Sequence, residues 1–135
     1  MLSILKHFLS IVLLLCMAEI AISQTQFTEK EYTLHIQSLI GGETEISVES
    51  GRVDLLTKTH AFEVERASKW KESIGQALWY GLQTNKKPGI IILMTTSSDY
   101  KYFIQLSSSL KYAKLDEAID VYLYPTDFQE LIEKQ

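Results

Sequence analysis

Residues 43–80, ETEISVESGRVDLLTKTHAFEVERASKWKESIGQALWY, decide the fold, because they hold three strand-like segments followed by one helical segment. The strand-like segments are Glu43–Glu49, Arg52–Lys58 and Ala61–Arg66. In each of them apolar and polar residues alternate, and a strand places successive side chains on opposite faces. The second and third segments are separated by only two residues, so we expect them to pair as an antiparallel hairpin.

This pairing predicts a cluster of carboxylates. In the second strand, Asp54 is expected on the face opposite Val53 and Leu55, and in the third strand Glu63 and Glu65 share one face. An antiparallel register then brings Asp54 beside both glutamates. Like charges held this close are unfavourable unless they are protonated or neutralised. A hard divalent cation such as Mg²⁺, which prefers oxygen ligands, is the usual neutraliser.

The helix after the third strand is expected to contribute to the same site. Ser68 is a candidate N-cap. At about 100° per residue, Lys69, Gln76 and Tyr80 fall nearly on one line along the helix. The opposite side is small and apolar, as required for packing on a sheet, and consists of Trp70, Ile74, Ala77, Leu78 and Gly81.

The order of these residues resembles the PD-(D/E)xK nuclease superfamily. The resemblance covers residues 28–94, and its matching segments are Gly51-Arg52-Val53-Asp54, Ala61-Phe62-Glu63-Val64-Glu65 and Gln76-Ala77-Leu78-Trp79-Tyr80. Each motif is short, and only their order and spacing together are specific. The resemblance implies a single restriction-endonuclease-like domain, in which a mixed sheet is flanked by helices. It also implies one or two Mg²⁺ or Mn²⁺ ions that activate a water for phosphodiester hydrolysis.

The family's site residues transfer to this chain by position. The resemblance makes Asp54 and Glu63 metal ligands, the Val64 carbonyl a backbone ligand, and Gln76 and Tyr80 helpers on the helix. An acidic residue from the first helix or from the next strand often completes such a site. The candidates here are Glu31, Glu43 and Glu45, of which we favour Glu43.

Two positions depart from the family pattern. Val53 stands where the proline of the motif would be, which is common in the family. Glu65 stands where the motif lysine would polarise the attacking water, and a carboxylate cannot do this. Either Glu65 binds a second metal ion, or Lys69 reaches in from the helix, or the fold is retained without catalysis.

The first 23 residues read as a secretory signal peptide rather than as part of the fold. Lys6 and His7 precede an apolar run from Phe8 to Met17, and the small-residue site Ala21-Ile22-Ser23 follows. The run is too short for a membrane span. We therefore expect a domain of residues 24–135 that is exported to the periplasm or secreted, without stable membrane association after cleavage. An uncleaved anchor is the alternative.

The composition of this domain excludes several kinds of functional site. The only cysteine, Cys16, leaves with the signal peptide, which excludes a disulfide, a thiolate nucleophile and a cysteine-ligated zinc site in the mature chain. The two remaining histidines, His35 and His60, lack the spacing of a zinc site. The net charge of −4 argues against tight nonspecific binding of nucleic acid.

The remaining elements complete an α/β pattern. Thr28 and Glu31 form a capping-box pattern at the start of the first helix, and Gly41-Gly42 ends it. The apolar run GIIILM is typical of a strand covered on both faces. The predicted order is α-β-β-β-α-β-α-β-α, whose remaining members are a helix at Phe27–Ile40, a strand at Gly89–Met94, a helix at Tyr100–Leu115, a strand at Asp120–Tyr124 and a last helix from Pro125 through Phe128, Leu131 and Ile132.

Three functional hypotheses follow from the sequence. The first is an exported Mg²⁺-dependent endonuclease or exonuclease that acts on DNA or RNA. The second is a catalytically silent protein of the same fold that binds a nucleic acid or a protein. The third is an unrelated small exported α/β binding protein, whose carboxylates decorate a sheet. The sequence leaves the oligomeric state open.

Overall fold

The computed structural model describes residues 27–128. The predicted signal peptide lies outside the described residues, as do Leu131 and Ile132 of the predicted last helix. None of the helices in the described part is long and apolar enough to cross a membrane. The helices and strands are α1 (Glu29–Ile40), β1 (Glu43–Val48), β2 (Gly51–Leu56), β3 (His60–Arg66), α2 (Trp70–Thr84), β4 (Lys87–Leu93), α3 (Tyr100–Tyr112) and β5 (Asp120–Tyr124).

One mixed sheet of five strands organises residues 27–128, in the order β1-β2-β3-β4-β5. The pairs β1-β2 and β2-β3 are antiparallel, whereas β3-β4 and β4-β5 are parallel. Because α2 and α3 each join parallel neighbours, the chain must cross over the sheet twice. The predicted α/β class, with a mixed sheet flanked by helices, is confirmed.

The core has two main parts, one on each face of the sheet. Side chains alternate along β4, so Ile90 and Ile92 pack under α2 and α3, whereas Ile91 and Leu93 pack on the opposite face. Ile36 of α1 joins the second group and has no exposed surface. The strand β4 is therefore covered on both faces, as its apolar run predicts.

The ends of α1 are as the sequence predicts, but the predicted N-cap of α2 is wrong. At the start of α1, Thr28 and Glu31 form the predicted capping box, and Gly41 ends the helix with a φ of 76°. A short 3-10 turn, Ala67–Lys69, precedes α2, and no side chain caps α2. Ser68 lies within that turn and is not the N-cap, because the chain leaves β3 in a tighter turn than an α-helix makes.

The strand β2 does not alternate as predicted. Val53 packs with Ala61 and Tyr80, whereas Leu55 packs with Phe62 on the other side. In a regular strand, residues two apart share a face. The expectation that Val53 and Leu55 point the same way is wrong, and the irregularity falls at the residue between them, Asp54.

A close contact between β3 and β4 requires a glycine. Gly89 is paired with Phe62 across the two strands. A Cβ atom on Gly89 would overlap the buried ring of Phe62. His60 also stacks on this ring, at a centroid distance of 4.9 Å and an interplanar angle of 8°. The ring is therefore held from two sides and cannot easily move away.

We predict that Gly89→Ala lowers the free energy of unfolding by about 1–3 kcal/mol, because the added methyl overpacks the core against Phe62. The matched control is Gly75→Ala in α2, where nothing lies within 4 Å of the added Cβ. That substitution should raise stability by about 0.5–1 kcal/mol through helix propensity. Urea unfolding of both variants measures the difference, and equal effects would contradict the packing argument.

Candidate functional site

Asp54 lies where the ladder between β2 and β3 ends. The two strands pair at Leu56 with Ala61 and at Leu55 with Phe62. Two residues after Phe62, the Val64 N–H donates to Asp54 Oδ2 at 2.8 Å instead of to a backbone carbonyl. The carboxylate thus replaces a strand partner at the point where the two strands separate.

The neighbouring strand is distorted at the same level. Glu45 of β1 lies opposite Asp54 in the register and has a φ of 61°, in the left-handed region. That conformation is uncommon for a residue other than glycine and costs about 1–2 kcal/mol. The Glu45 carboxylate pairs with Arg52 Nε at 3.0 Å. The irregular backbone of β1 and β2 is therefore centred on Asp54.

Glu63 is the most perturbed carboxyl group of the site. Its side chain lies on the face of β3 beneath α2, and only 5% of the residue is exposed. Burial, followed by the nearby carboxyls of Asp54 and Glu65, raises the pKa of Glu63 to about 9. Burial also raises the pKa of Asp54, despite the hydrogen bond from Val64. At neutral pH, Glu63 therefore keeps its proton.

A second carboxyl pair lies beside the first. Glu65 is buried, and Glu29 from the first turn of α1 lies within hydrogen-bonding reach of its side chain. Burial, and then this contact with Glu29, raises the pKa of Glu65 to about 7. Four carboxyl groups from α1, β2 and β3 therefore crowd together, of which the sequence analysis named three.

Two cations border the second pair. Lys69 Nζ is 3.4 Å from Glu29 Oε1 and 3.7 Å from Glu65 Oε1. Arg66 Nε is 3.6 Å from Glu29 Oε1, and its guanidinium also donates to the Phe27 carbonyl at 2.7 Å. The nearby carboxylates of Glu65 and Glu29 raise the pKa of Lys69, so this ammonium stays charged. The structure thus brings Lys69 to the carboxylates.

Two oxygen atoms of the site have no partner. Glu63 Oε2 and Gln76 Oε1 are both buried, and neither makes a hydrogen bond with the described residues. A buried polar atom without a hydrogen bond costs free energy, and each such atom in a folded protein needs an explanation. Both belong to the residues that the sequence analysis assigned to the site.

The backbone of Val64 faces the same gap. In a strand, the N–H and the carbonyl of one residue point to the same side. Since the Val64 N–H donates to Asp54, the Val64 carbonyl also points towards the space where β2 has separated from β3. The carbonyl and the Asp54 carboxylate are thus oxygen donors at one place.

Tyr80 and Glu43 lie elsewhere. Tyr80 is buried in a small core cluster with Val53 and Ala61, and its ring lies against Gly51. The face of α2 that carries Tyr80 therefore packs on the sheet at this position, because α2 lies directly on the sheet. Glu43 is exposed at the end of β1 that pairs with Leu56, away from the carboxyl cluster.

The residue that sequence reasoning missed is Glu29. Glu31, the first-helix candidate, is occupied by the capping box, in which its Oε2 accepts from the Thr28 N–H at 2.7 Å. Glu29 lies seven residues before Ile36, on the same face of the helix. Because Ile36 is fully buried, that face points to the sheet. The apolar stripe of α1 was the signal that could have identified Glu29.

The carboxyl groups of the cluster are arranged in pairs. Among residues 27–128, no three His, Cys, Asp or Glu side chains are arranged to hold a metal ion. The carboxyl groups instead meet in two pairs, Asp54 with Glu63 and Glu29 with Glu65, each close enough to share a proton. The Mg²⁺ that the sequence analysis expected at these carboxyl groups stays a prediction.

A separate groove lies at the other end of the strands. It has a volume of about 1300 Å³, and Glu43, His60 and Tyr122 are among its lining residues. At this end, His60 Nε2 lies 2.8 Å from Asp120 Oδ2, and Lys87 Nζ donates to Asp120 Oδ1 at 2.6 Å. These side chains tie β3, β4 and β5 together, and they account for His60 without a metal.

Comparison with known proteins gives two viral relatives. The chain is 40% identical over 65 residues to the "Putative KilA-N domain-containing protein L32" of Acanthamoeba polyphaga mimivirus, which covers 47% of this chain and 18% of that protein. It is 31% identical over 71 residues to the "Putative KilA-N domain-containing protein L33" of the same virus, over 53% of this chain and 29% of the relative. The match thus spans less than a third of each relative. No protein-family model and no solved structure matches the chain.

The carboxyl cluster predicts a pH dependence of stability. The pKa of Glu63 is 4.5 when unperturbed and about 9 in the folded protein. The folded state therefore binds more protons than the unfolded state between these values, and stability falls as pH rises through this window. The expected slope is up to about 1.4 kcal/mol per pH unit.

We predict that Glu63→Gln flattens this slope and stabilises the metal-free protein at pH 8. The slope is measured by urea unfolding between pH 5 and pH 9, within the window that the two pKa values of Glu63 define. Glu117→Gln, at an exposed position outside the cluster, is the matched control and should keep the slope of the unsubstituted protein. An unchanged slope in Glu63→Gln would show that the buried carboxyl is not protonated.

Proposed function

We propose that the protein is an exported metal-dependent nuclease of the PD-(D/E)xK type, which hydrolyses phosphodiester bonds of DNA or RNA. The observation that carries this proposal is the buried, unpartnered Glu63 Oε2 in a crowd of carboxyl groups, together with a second buried, unpartnered oxygen, Gln76 Oε1, on α2. Buried polar atoms without a protein partner call for a ligand or a bound water. A site that binds a hard cation and a water uses both.

The donor set fits Mg²⁺ or Mn²⁺, since it consists of carboxylate and carbonyl oxygens. Asp54, Glu63 and the Val64 carbonyl would hold the ion, in the gap between β2 and β3. When bound, the ion would lower the pKa of a coordinated water and neutralise charge on the phosphate. Its two positive charges would replace the proton on Glu63, so binding should release protons and be favoured at higher pH.

Glu65 is the best candidate for the general base. A base works best when its pKa lies near the working pH, and that of Glu65 is raised to about 7. Glu65 would take a proton from the water as the water oxygen attacks phosphorus. The bond from phosphorus to the leaving oxygen then breaks. Gln76 Oε1 is free to accept the second hydrogen of that water and so to orient it.

Lys69 would supply the positive charge that the motif lysine gives in the family. Its ammonium lies 3.7 Å from Glu65 Oε1 and its side chain is half exposed, so it can turn towards a bound phosphate. Charge that develops on phosphate oxygens in the transition state is stabilised by such a cation. The departure at Glu65 would then be an exchange of roles between two neighbouring positions.

The second candidate function is a catalytically silent binding protein of the same fold. It is favoured by Glu65 in place of the motif lysine and by the lack of a three-ligand group in the described part of the chain. The viral relatives do not decide between the two, because the match covers only 18% and 29% of proteins named for a KilA-N domain. The unrelated binding protein has no observation of its own in support.

We predict that the purified protein cleaves single-stranded or plasmid DNA, or RNA, with Mg²⁺ or Mn²⁺ and not with a chelator. Glu63→Gln should abolish cleavage, because the metal loses a ligand. Glu43→Gln is the matched control, since that carboxylate is exposed and away from the cluster, and it should cleave normally. If Mn²⁺ raises the melting temperature of the folded protein but no substrate is cleaved, the catalytically silent alternative is favoured.

We predict that Lys69→Met lowers kcat by about a hundredfold, the effect of losing one charge-stabilising group in a transition state. Lys58→Met, on an exposed lysine at the other end of β3, should have no such effect. The pH profile adds a second readout. Without the ammonium the pKa of Glu65 should rise, so the acidic limb, on which Glu65 loses its proton, should move to higher pH. A normal kcat in Lys69→Met would remove this lysine from the mechanism.

A further inference from the structure

The outward face of α3 has an unusual composition. At about 100° per residue its exposed side chains fall within an arc of about 140°. We call this the α3 face, and it consists of Tyr100, Lys101, Ile104, Gln105, Ser108, Lys111 and Tyr112. No acidic residue occurs anywhere in α3, although the chain has 17 acidic residues and a net charge of −4.

This face also exposes large apolar side chains. Tyr100 is 54% exposed, Ile104 52% and Tyr112 94%. Side chains of this size at a helix surface, beside lysines and without a carboxylate, suit a ligand that is both anionic and aromatic. A single-stranded nucleic acid offers both kinds of group, phosphates for the lysines and bases for the tyrosine rings.

The α3 face is continuous with the carboxyl site. Trp70 Nε1 donates to Gln105 Oε1 at 3.2 Å, which joins the α3 face to the start of α2. Lys71 Nζ lies 5.9 Å from the centre of the Trp70 ring. Lys69, the residue before Trp70, contacts Glu65. Gln105 of the α3 face is thus joined through the buried Trp70 to the turn that carries Lys69, which contacts the proposed base.

We propose that the α3 face is the tract on which a single strand of nucleic acid lies before it enters the carboxyl site, with Tyr100 and Tyr112 stacking on bases and Lys101 and Lys111 contacting phosphates. This inference rests on the proposed function for the fate of the strand, but not for its binding. Stacking requires unpaired bases, so the face selects single strands over duplexes.

Binding is tested without cleavage, in a chelator, by fluorescence anisotropy with a labelled thymidine oligonucleotide of about 12 nucleotides. Tyr100→Ala with Tyr112→Ala should weaken binding about tenfold or more, since stacking is worth about 1–3 kcal/mol per base. An abasic strand of equal length should bind more weakly, and the tyrosine substitutions should not change its affinity. In the double variant Lys101→Gln with Lys111→Gln, a plot of log binding constant against log salt concentration should become less steep. Its slope should fall by about 0.7 for each phosphate contact that is lost.

Leu34→Ala and Lys30→Gln are the matched controls, because both residues are exposed on α1, on the other side of the sheet. They should bind the oligonucleotide as the unsubstituted protein does. The proposal would be overturned if the α3 variants bound the oligonucleotide as tightly as the controls do. It would also be overturned if none of the proteins bound it, or if duplex bound more tightly than the single strand. Self-association that the α3 variants abolish would overturn it too, and would assign the face to a second copy of the chain.

These outcomes separate the two proposals. Oligonucleotide binding that depends on the α3 face, without metal-dependent cleavage, would support the tract and contradict the nuclease. Cleavage that is unaffected by the α3 substitutions, at oligonucleotide concentrations below saturation, would support the nuclease and contradict the tract.

Discussion

The hydrogen bond from the Val64 N–H to Asp54 is the contact on which the rest of the site depends. A backbone N–H at the end of a ladder must find an acceptor. Here the acceptor is a side chain, so β2 can leave β3 without an unsatisfied donor. The side chains of Glu63 and Glu65 lie on one face of β3 beside the gap that results, and both are buried. Replacement of that acceptor by a regular strand partner would close the gap.

Crowding of carboxyl groups is costly, and the protein offsets the cost in two ways. Around Glu63, burial favours the protonated form, which removes one negative charge. Around Glu65 and Glu29, Lys69 and Arg66 supply opposite charge. The two pairs are therefore different in kind, one neutralised by a proton and the other by side chains. This division is typical of sites in which neighbouring acids take different roles.

The sequence predicted features that depend on local pattern and failed where packing decides. The capping box at Thr28 and the buried run of β4 are local, and both are confirmed. The choice between Glu29 and Glu31 depends on how α1 is rotated about its axis, which its packing through Ile36 sets. Glu63 and Glu65 were expected on one face because alternation holds in β3. It fails in β2, where the ladder with β3 ends at Leu55 and the ladder with β1 is distorted at Glu45.

The left-handed residue at Glu45 has a further consequence, for the edge of the sheet. In the sheet that residues 27–128 form, β1 is an outer strand, with one side free of strand partners. An outer strand that is straight offers its N–H and carbonyl groups to any other chain, and so invites aggregation. The turn of the backbone at Glu45 interrupts that row of groups halfway along β1. The distortion that accompanies the carboxyl site therefore also protects the protein from edge-to-edge association.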